Sequence, residues 1–138
     1  MIELVQTNWT QDREAIAGIR RLVFIEEQGV PEELEWDGLD ADAIHLLARD
    51  SGRPVACARM LKDGHIGRMS VLKEYRRQGI GTRMIQRLVD LGREQSLAQV
   101  YLDAQVHATA FYERLGFQVM GNEFMDAGIP HRHMHQKL

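Results

Sequence analysis

The chain has 138 residues, 44% of them hydrophobic and 27% charged, values that exclude wholesale disorder and fit one globular domain. Its net charge of -3 argues against a nucleic-acid partner bound through bulk positive charge, and its single cysteine cannot form an intramolecular disulfide. We find no signal-peptide pattern and no apolar run near the ~20 residues that span a bilayer, so we expect a soluble cytoplasmic protein with no membrane partner.

The N-terminal part of the chain predicts a strand followed by a helix. IELVQ at residues 2–6 has strand character, and Thr10 offers an N-cap to the helix that follows. Apolar residues then recur at helical spacing. We expect this helix to end near Gln28, because Gly29 and Pro31 interrupt its pattern.

An acidic loop and three antiparallel strands come next. The loop region contains eight carboxylates: Glu26, Glu27, Glu32, Glu33, Glu35, Asp37, Asp40 and Asp42. Strands are predicted over residues 43–49, 55–61 and 65–72. A turn at residues 50–54 joins the first two, and the strong turn signal Asp63-Gly64 joins the last two.

The second half alternates helices with strands. A helix follows the glycines near residue 80, with an apolar face made of Ile80, Met84, Ile85, Leu88 and Leu91. A buried strand at 99–105, a short helix at 108–116 and strands at 117–121 and 131–138 complete the chain. This order predicts an α/β fold in which one mixed sheet is flanked by helices, and it excludes a regular doubly wound fold.

The stretch RRQGIGT at residues 76–82, between a strand and a helix, indicates an anion-binding loop. A Walker A loop is excluded because Thr82-Arg83, not Lys-Ser/Thr, follows the second glycine. A dinucleotide loop is a closer rival, since Asp103 lies near the position of a ribose-binding acid. Met84 stands where its third glycine belongs, however, and would block close helix–strand packing. The pyrophosphate of a larger carrier such as coenzyme A fits better, held by backbone N–H groups and the helix dipole.

Two motifs resemble those of the GNAT superfamily of N-acetyltransferases. Residues 76–81, RRQGIG, are similar to its signature Arg/Gln-x-x-Gly-x-Gly/Ala. The stretch AFYERLGF, which contains Phe111, Tyr112, Gly116 and Phe117, resembles a second GNAT hallmark. RRLVFIEEQGVPEELEWDGLD and FMDAGIPHRHM are similar to a subgroup of small bacterial GNAT proteins, so the resemblance extends over nearly the whole chain.

The resemblance implies one GNAT domain over residues 1–138 with the acyl-CoA N-acyltransferase fold, a mostly antiparallel mixed sheet. It implies transfer of acetyl from acetyl-CoA to a primary amine by direct attack in a ternary complex, without a metal. Homodimers are common in this superfamily. The residues expected at the cosubstrate are Met69, Ser70 and Val71 along the pantetheine arm, and Arg76, Arg77, Gln78, Gly79, Gly81 and Thr82 around the pyrophosphate.

The same resemblance implies that Tyr112 donates a proton to the departing thiolate. The general base stays open among Glu26 or Glu27, Asp103 and His107, with Glu27 and His107 as the catalytic candidates. The rival function is that of a non-catalytic module with the same fold, which binds acyl-CoA as a sensor or binds a partner protein.

The acceptor site is predicted from residues near the expected cleft, namely Glu26, Arg59, Gln105 and His131. The acidic segment from Glu26 to Asp42 either favours a cationic amine or is a solvated loop. Arg59 and Arg68 either pair with these acids or contact substrate.

Two further features carry weaker chemical signals. His131, His133 and His135 alternate on one strand face, but no carboxylate or cysteine lies nearby at ligand spacing, so we expect no metal site. Cys57 lies on an apolar strand, which is typical of a buried thiol rather than a nucleophile.

Overall fold

The computed structural model describes residues 1–138, the whole chain. Seven strands are present: β1 (Ile2–Thr7), β2 (Ile44–Asp50), β3 (Arg53–Met60), β4 (His65–Val71), β5 (Gln99–Gln105), β6 (Gln118–Asp126) and β7 (Ile129–Lys137). The helices are α1 (Trp9–Arg20), α2 (Glu32–Glu35), α3 (Ile80–Glu94) and α4 (Thr109–Arg114). A π-helical segment, Arg21–Glu27, continues α1. No helix has the length and apolar composition needed to span a membrane.

All seven strands form one mixed sheet in the order β1-β2-β3-β4-β5-β7-β6. Every neighbouring pair is antiparallel except β4 and β5, which run parallel. Helix α1 packs on strands β3 and β4, and α3 also packs on the sheet. The predicted mixed, mostly antiparallel sheet flanked by helices is therefore confirmed.

The parallel pair β4–β5 is joined only at its beginning. The register holds at His65 opposite Tyr101 and at Ile66 opposite Leu102, after which the two strands are no longer paired. On its other side, β4 is bulged against β3, and Arg68 in the bulge has a left-handed φ of 48°. The sheet is thus split in the middle, and one edge of β4 is left without a strand partner.

Helix α3 buries the apolar face that its sequence predicts. Ile80, Met84, Ile85, Leu88 and Leu91 are all buried, with Val89 and Gly92 beside them. Arg83 and Glu94 face solvent. This face joins a single core of 24 buried apolar residues, which fixes the start of α3 firmly under the glycine loop.

The predicted first helix is wrong at its start and in its winding. Its N-cap is Asn8, whose side chain accepts a 2.9 Å hydrogen bond from the N–H of Gln11, and Thr10 already lies inside the helix. The α-helix ends at Arg20 and continues as a π-helix to Glu27 with Gln28 as its C-cap, so the predicted end near Gln28 is confirmed although the winding differs. The wider turn keeps Val23 in the core while turning the residues before it toward solvent.

Strands β6 and β7 are longer than the predicted 117–121 and 131–138, because they form a tight hairpin. Its two turn residues, Ala127 and Gly128, both have positive φ values, 51° and 76°. This matches the backbone of a two-residue hairpin turn, which normally carries Asn, Asp or Gly at both positions. Alanine at the first position hides the turn from a reading of the sequence.

Candidate active site

The glycine loop carries a run of unused backbone donors. No N–H group from Arg77 to Thr82 donates a hydrogen bond within the protein; the first bonded donor is Arg83, to the carbonyl of Gly79 at 3.1 Å. Arg77 and Gly79 take left-handed φ values of 63° and 81°, which turn successive N–H groups toward one side. Together with the dipole of α3, this arrangement is a concave anion-binding site.

The two arginines of the loop have different roles. Arg76 is held from three sides: Nη1 and Nη2 donate to the carboxylate of Glu27 at 2.7 and 2.6 Å, and Nε donates to the carbonyl of Val71 at 2.9 Å. Its guanidinium therefore fastens the loop to the π-helical segment. Arg77 is exposed and forms no ion pair, so its charge is available to a bound anion.

A cavity of about 480 Å³ lies in the split between β4 and β5. One wall comes from the π-helical segment and the chain around α2, including Phe24, Leu34 and Leu39. The other wall comes from β5 and the β6–β7 hairpin, including Asp103 and Asp126. The predicted site residues that line the cavity are Arg59, Met69, Gln105, Tyr112 and His131.

An ion-pair network lies beneath the cavity wall that the π-helical segment and the chain around α2 form. Buried Arg20 donates to Glu35 and to Asp40, both at 2.6 Å. Arg59 also binds Asp40, at 3.0 Å, and reaches Asp37 at 2.5 Å. Arg68 lies 3.1 Å from Asp37 and 3.2 Å from Glu35, so three arginines face three carboxylates. Of the two alternatives left open for Arg59 and Arg68, the structure shows pairing with loop acids.

Tyr112 lines the cavity with an unbonded hydroxyl group. Its ring packs edge-on against Phe111 and Phe117, at centroid distances of 5.0 and 6.1 Å. Burial raises the pKa of Tyr112 to about 12, because the phenolate would lose its hydration. The phenol therefore keeps its proton at neutral pH and has it available to donate.

His131 is almost fully buried, with 8% of its surface exposed, and lines the same cavity. Its Nδ1 lies 2.7 Å from the carbonyl oxygen of Ile129, a contact in which Nδ1 must be the protonated nitrogen. In the neutral imidazole this hydrogen bond fixes the tautomer and leaves the lone pair on Nε2. In the sheet, His131 lies between Gln105 of β5 and Phe124 of β6.

Two other histidines, His65 and His133, contact the carboxylate of Asp103. One carboxylate oxygen lies 2.5 Å from Nδ1 of His133, and the other lies 3.5 Å from Nε2 of His65. The hydrogen bond from His65 and that from His133 lower the pKa of Asp103 although burial opposes this. His133, His131 and His135 share a strand face as predicted, yet no three His, Cys, Asp or Glu side chains come close enough to hold a metal ion.

Of the catalytic and acceptor-site residues proposed from sequence, three do not line the cavity, namely Glu26, Glu27 and His107. Of the proposed cosubstrate residues only Met69 lines it, while Ser70 and Val71 lie further along β4 and the others belong to the glycine loop. Glu27 is occupied by Arg76, whose hydrogen bonds hold the pKa of that carboxyl below its usual range. His107 is exposed, and its Nε2 lies 2.7 Å from Oε1 of Gln105. The Nε2 of Gln105 donates to Oε1 of Gln28 at 2.9 Å.

Among the titratable cavity residues, sequence reasoning missed two, His65 and Asp126. His65 belongs to no motif, and Asp126 lies in the stretch FMDAGIPHRHM without having been assigned a role. The only available signal was position: His65 follows the Asp63-Gly64 turn at the start of β4, and Asp126 precedes the turn that the sequence hides.

Comparison with known proteins agrees with this geometry. Residues 11–138 match the family described as the acetyltransferase (GNAT) domain. A Bacillus subtilis protein named as a candidate acetyltransferase is 40% identical over 127 residues, 88% of this chain and 86% of that one. An acyl-CoA N-acyltransferase from Pseudomonas aeruginosa has 30% identity and a TM-score of 0.89, covering 99% of both chains. Escherichia coli ElaA has 28% identity and the same TM-score, covering 99% of this chain and 100% of its own.

The chain therefore belongs to the GNAT acetyltransferase family. The predicted family, its fold and the assignment to an acetyltransferase enzyme are confirmed. The individual site residues stay predictions, now supported or weakened by where the structure places them.

Proposed function

We propose that this enzyme transfers the acetyl group of acetyl-CoA to a primary amine, by direct attack of the amine in a ternary complex. The observation that carries the proposal is the run of unbonded N–H groups from Arg77 to Thr82 at the mouth of a split sheet. A pyrophosphate is the group that such a loop suits, because it accepts several hydrogen bonds and carries negative charge.

The loop and the free edge of β4 would hold the cosubstrate in sequence. The N–H groups of Gln78, Gly79, Gly81 and Thr82 would bind the pyrophosphate, with Arg77 adding charge. The pantetheine arm carries amides, and the unpaired edge of β4 from Met69 to Val71 offers it backbone donors and acceptors. An N–H group at this edge would also polarise the thioester carbonyl.

Two cavity residues would move the protons. The amine nitrogen attacks the carbonyl carbon, the carbon–sulfur bond breaks, and the thiolate takes a proton from the hydroxyl of Tyr112. The proton that the amine loses goes to Nε2 of His131, directly or through one water. His131 replaces Glu27 and His107 as our candidate for the base, because it lines the cavity and its lone pair is fixed.

The rival is a module with the same fold that binds acyl-CoA without turnover. The paired presence of a protonated phenol and an imidazole lone pair in one cavity favours turnover, since a sensor needs neither. We further propose that the protein works in the cytoplasm, where its single cysteine would stay reduced.

Calorimetric titration with acetyl-CoA and, separately, with NADH tests the loop assignment. We expect acetyl-CoA to bind and NADH not to bind. Arg77→Glu should weaken acetyl-CoA binding, whereas Arg13→Glu, the same charge change on exposed α1, should leave it unchanged. Release of free thiol in the presence of amines then separates an enzyme from a sensor. Preference for NADH, or no acetyl-CoA binding, would overturn the proposal.

A further inference from the structure

The charged side chains of the cavity that are not already paired within the protein restrict the class of acceptor. Of the eight acids between Glu26 and Asp42, only Glu35 and Asp37 line the cavity. Both are bound by arginines of the ion-pair network. The acidic segment therefore presents no unneutralised charge to the cavity, and the argument for a polycationic acceptor loses its basis.

The wall formed by the π-helical segment and the chain around α2 presents apolar side chains to the cavity, next to the ion-pair network. Leu34 and Leu39 both line the cavity and are 53% and 49% exposed, high values for leucine side chains in a concave site. Phe24, Val30 and Leu61 extend this surface. An apolar group placed against it would release water from both surfaces and bind favourably.

The opposite wall carries the negative charge that remains. Asp126 forms no ion pair and Asp103 is bonded only to histidines, while His131 lies on the same side of the cavity. An ammonium group at this wall would be attracted by the carboxylates. It would lose its first proton to solvent to become the neutral amine that attacks, and it would then lie beside the imidazole that accepts the second proton.

We propose that the acceptor is an amphipathic primary amine, with one ammonium end and an apolar body of the arylalkyl kind. This inference rests on the transferase function proposed above. The ammonium end meets the wall of Asp103 and Asp126, and the apolar body covers Leu34 and Leu39. A polyamine would place a second ammonium group against Leu34 and Leu39. That group would lose its hydration without gaining a carboxylate partner, which would weaken binding.

The test compares 2-phenylethylamine, spermidine and lysine as acceptors, by release of free thiol from acetyl-CoA. We expect 2-phenylethylamine to give the highest kcat/KM. The double substitution Leu34→Ser and Leu39→Ser should raise its KM by about 10-fold or more, because a hydrophobic pocket discriminates at that scale for a few methylenes. Leu22→Ser is the matched control, since Leu22 is 47% exposed but does not line the cavity.

The outcomes separate the two proposals. If acetyl-CoA binds and spermidine or lysine is preferred, the acceptor class is wrong although the transferase function stands. If acetyl-CoA binds and no amine is acetylated, the rival sensor function is supported and both proposals are wrong. If the double variant leaves the KM unchanged but alters the oligomeric state, the leucines belong to a contact between copies of this chain. Failure of acetyl-CoA to bind would instead overturn the transferase function itself.

Discussion

The guanidinium of Arg76 donates two hydrogen bonds to the carboxylate of Glu27, 2.7 and 2.6 Å long. The two residues lie 49 positions apart, so the pair fastens the glycine loop to the end of the π-helical segment. An arginine of the anion loop thus serves to place the loop, and the carboxylate of Glu27, a candidate general base, is occupied by this ion pair.

Glu27→Gln should therefore leave kcat almost unchanged and weaken acetyl-CoA binding by no more than about fivefold, because exposed ion pairs contribute only ~0–1 kcal/mol. Steady-state kinetics and calorimetry measure the two effects. Asp90→Asn, which breaks the exposed Asp90–Arg93 pair on α3, is the control and should change neither. A fall in kcat of about 100-fold or more would instead restore Glu27 as the base.

Tyr112→Phe should lower kcat by about 100-fold, because it removes one proton donor from the cavity and leaves the ring packing intact. Binding of acetyl-CoA should not change. Since the pKa of Tyr112 is raised to about 12, the wild-type rate should show no loss from ionisation of this phenol at pH 7 to 9. Tyr75→Phe, which removes a hydroxyl bonded to Asp50 outside the cavity, is the control. Equal rates for both variants would exclude Tyr112 as the acid.

His131→Asn tests the proposed base with little change of shape. The asparagine amide can still donate to the carbonyl of Ile129, but it has no nitrogen at the position of Nε2. We expect kcat to fall by about 100-fold while acetyl-CoA binding stays unchanged. His135→Asn, on the same strand face but away from the cavity, should behave as wild type. A wild-type kcat in the His131 variant would contradict the assignment.

The sequence identified the parts of the site that local motifs carry. The glycine loop, the face of α3 and the position of Tyr112 each follow from a contiguous stretch whose chemistry is local. These features agree with the structure because few distant residues decide them.

Other features depend on distant partners and were missed for that reason. Arg20 looked like an ordinary polar position on α1, yet it is fully buried because Glu35 and Asp40, 15 and 20 residues away, fold over it. The acidic segment was expected either to attract a cationic amine or to be solvated, and neither alternative included the three arginines that Glu35, Asp37 and Asp40 bind. Ala127, a residue that rarely adopts positive φ, concealed the hairpin that brings Asp126 to the cavity.

Arg20→Met should lower the free energy of unfolding by about 3 kcal/mol, because it removes the closest cation from buried Glu35 and Asp40 and leaves each of them with a single arginine, Arg68 and Arg59. Chemical denaturation monitored by circular dichroism measures the loss. Arg21→Met is the matched control: its neighbouring pair with Glu32 is about half exposed and should cost less than about 1 kcal/mol. Adding Glu35→Gln and Asp40→Asn to the Arg20 variant should recover part of the loss. Equal destabilisation by the Arg20 and Arg21 variants would contradict the buried network.

Asp37 should make stability fall in acid. Burial opposes its ionisation, but hydrogen bonds from Arg59 and from the N–H of Leu39, with the charge of Arg68, outweigh burial and lower its pKa. A carboxyl whose pKa is depressed by folding stabilises the protein above its ordinary value of 3.8, and this contribution disappears as the pH falls through the lower folded-state pKa. Asp37→Asn should therefore be less stable than wild type at neutral pH, and the two should converge as the pH falls below 3.8. Urea unfolding across a pH series measures this, with exposed Asp42→Asn as the control; a constant gap at all pH values would show that Asp37 acts by packing and not by charge.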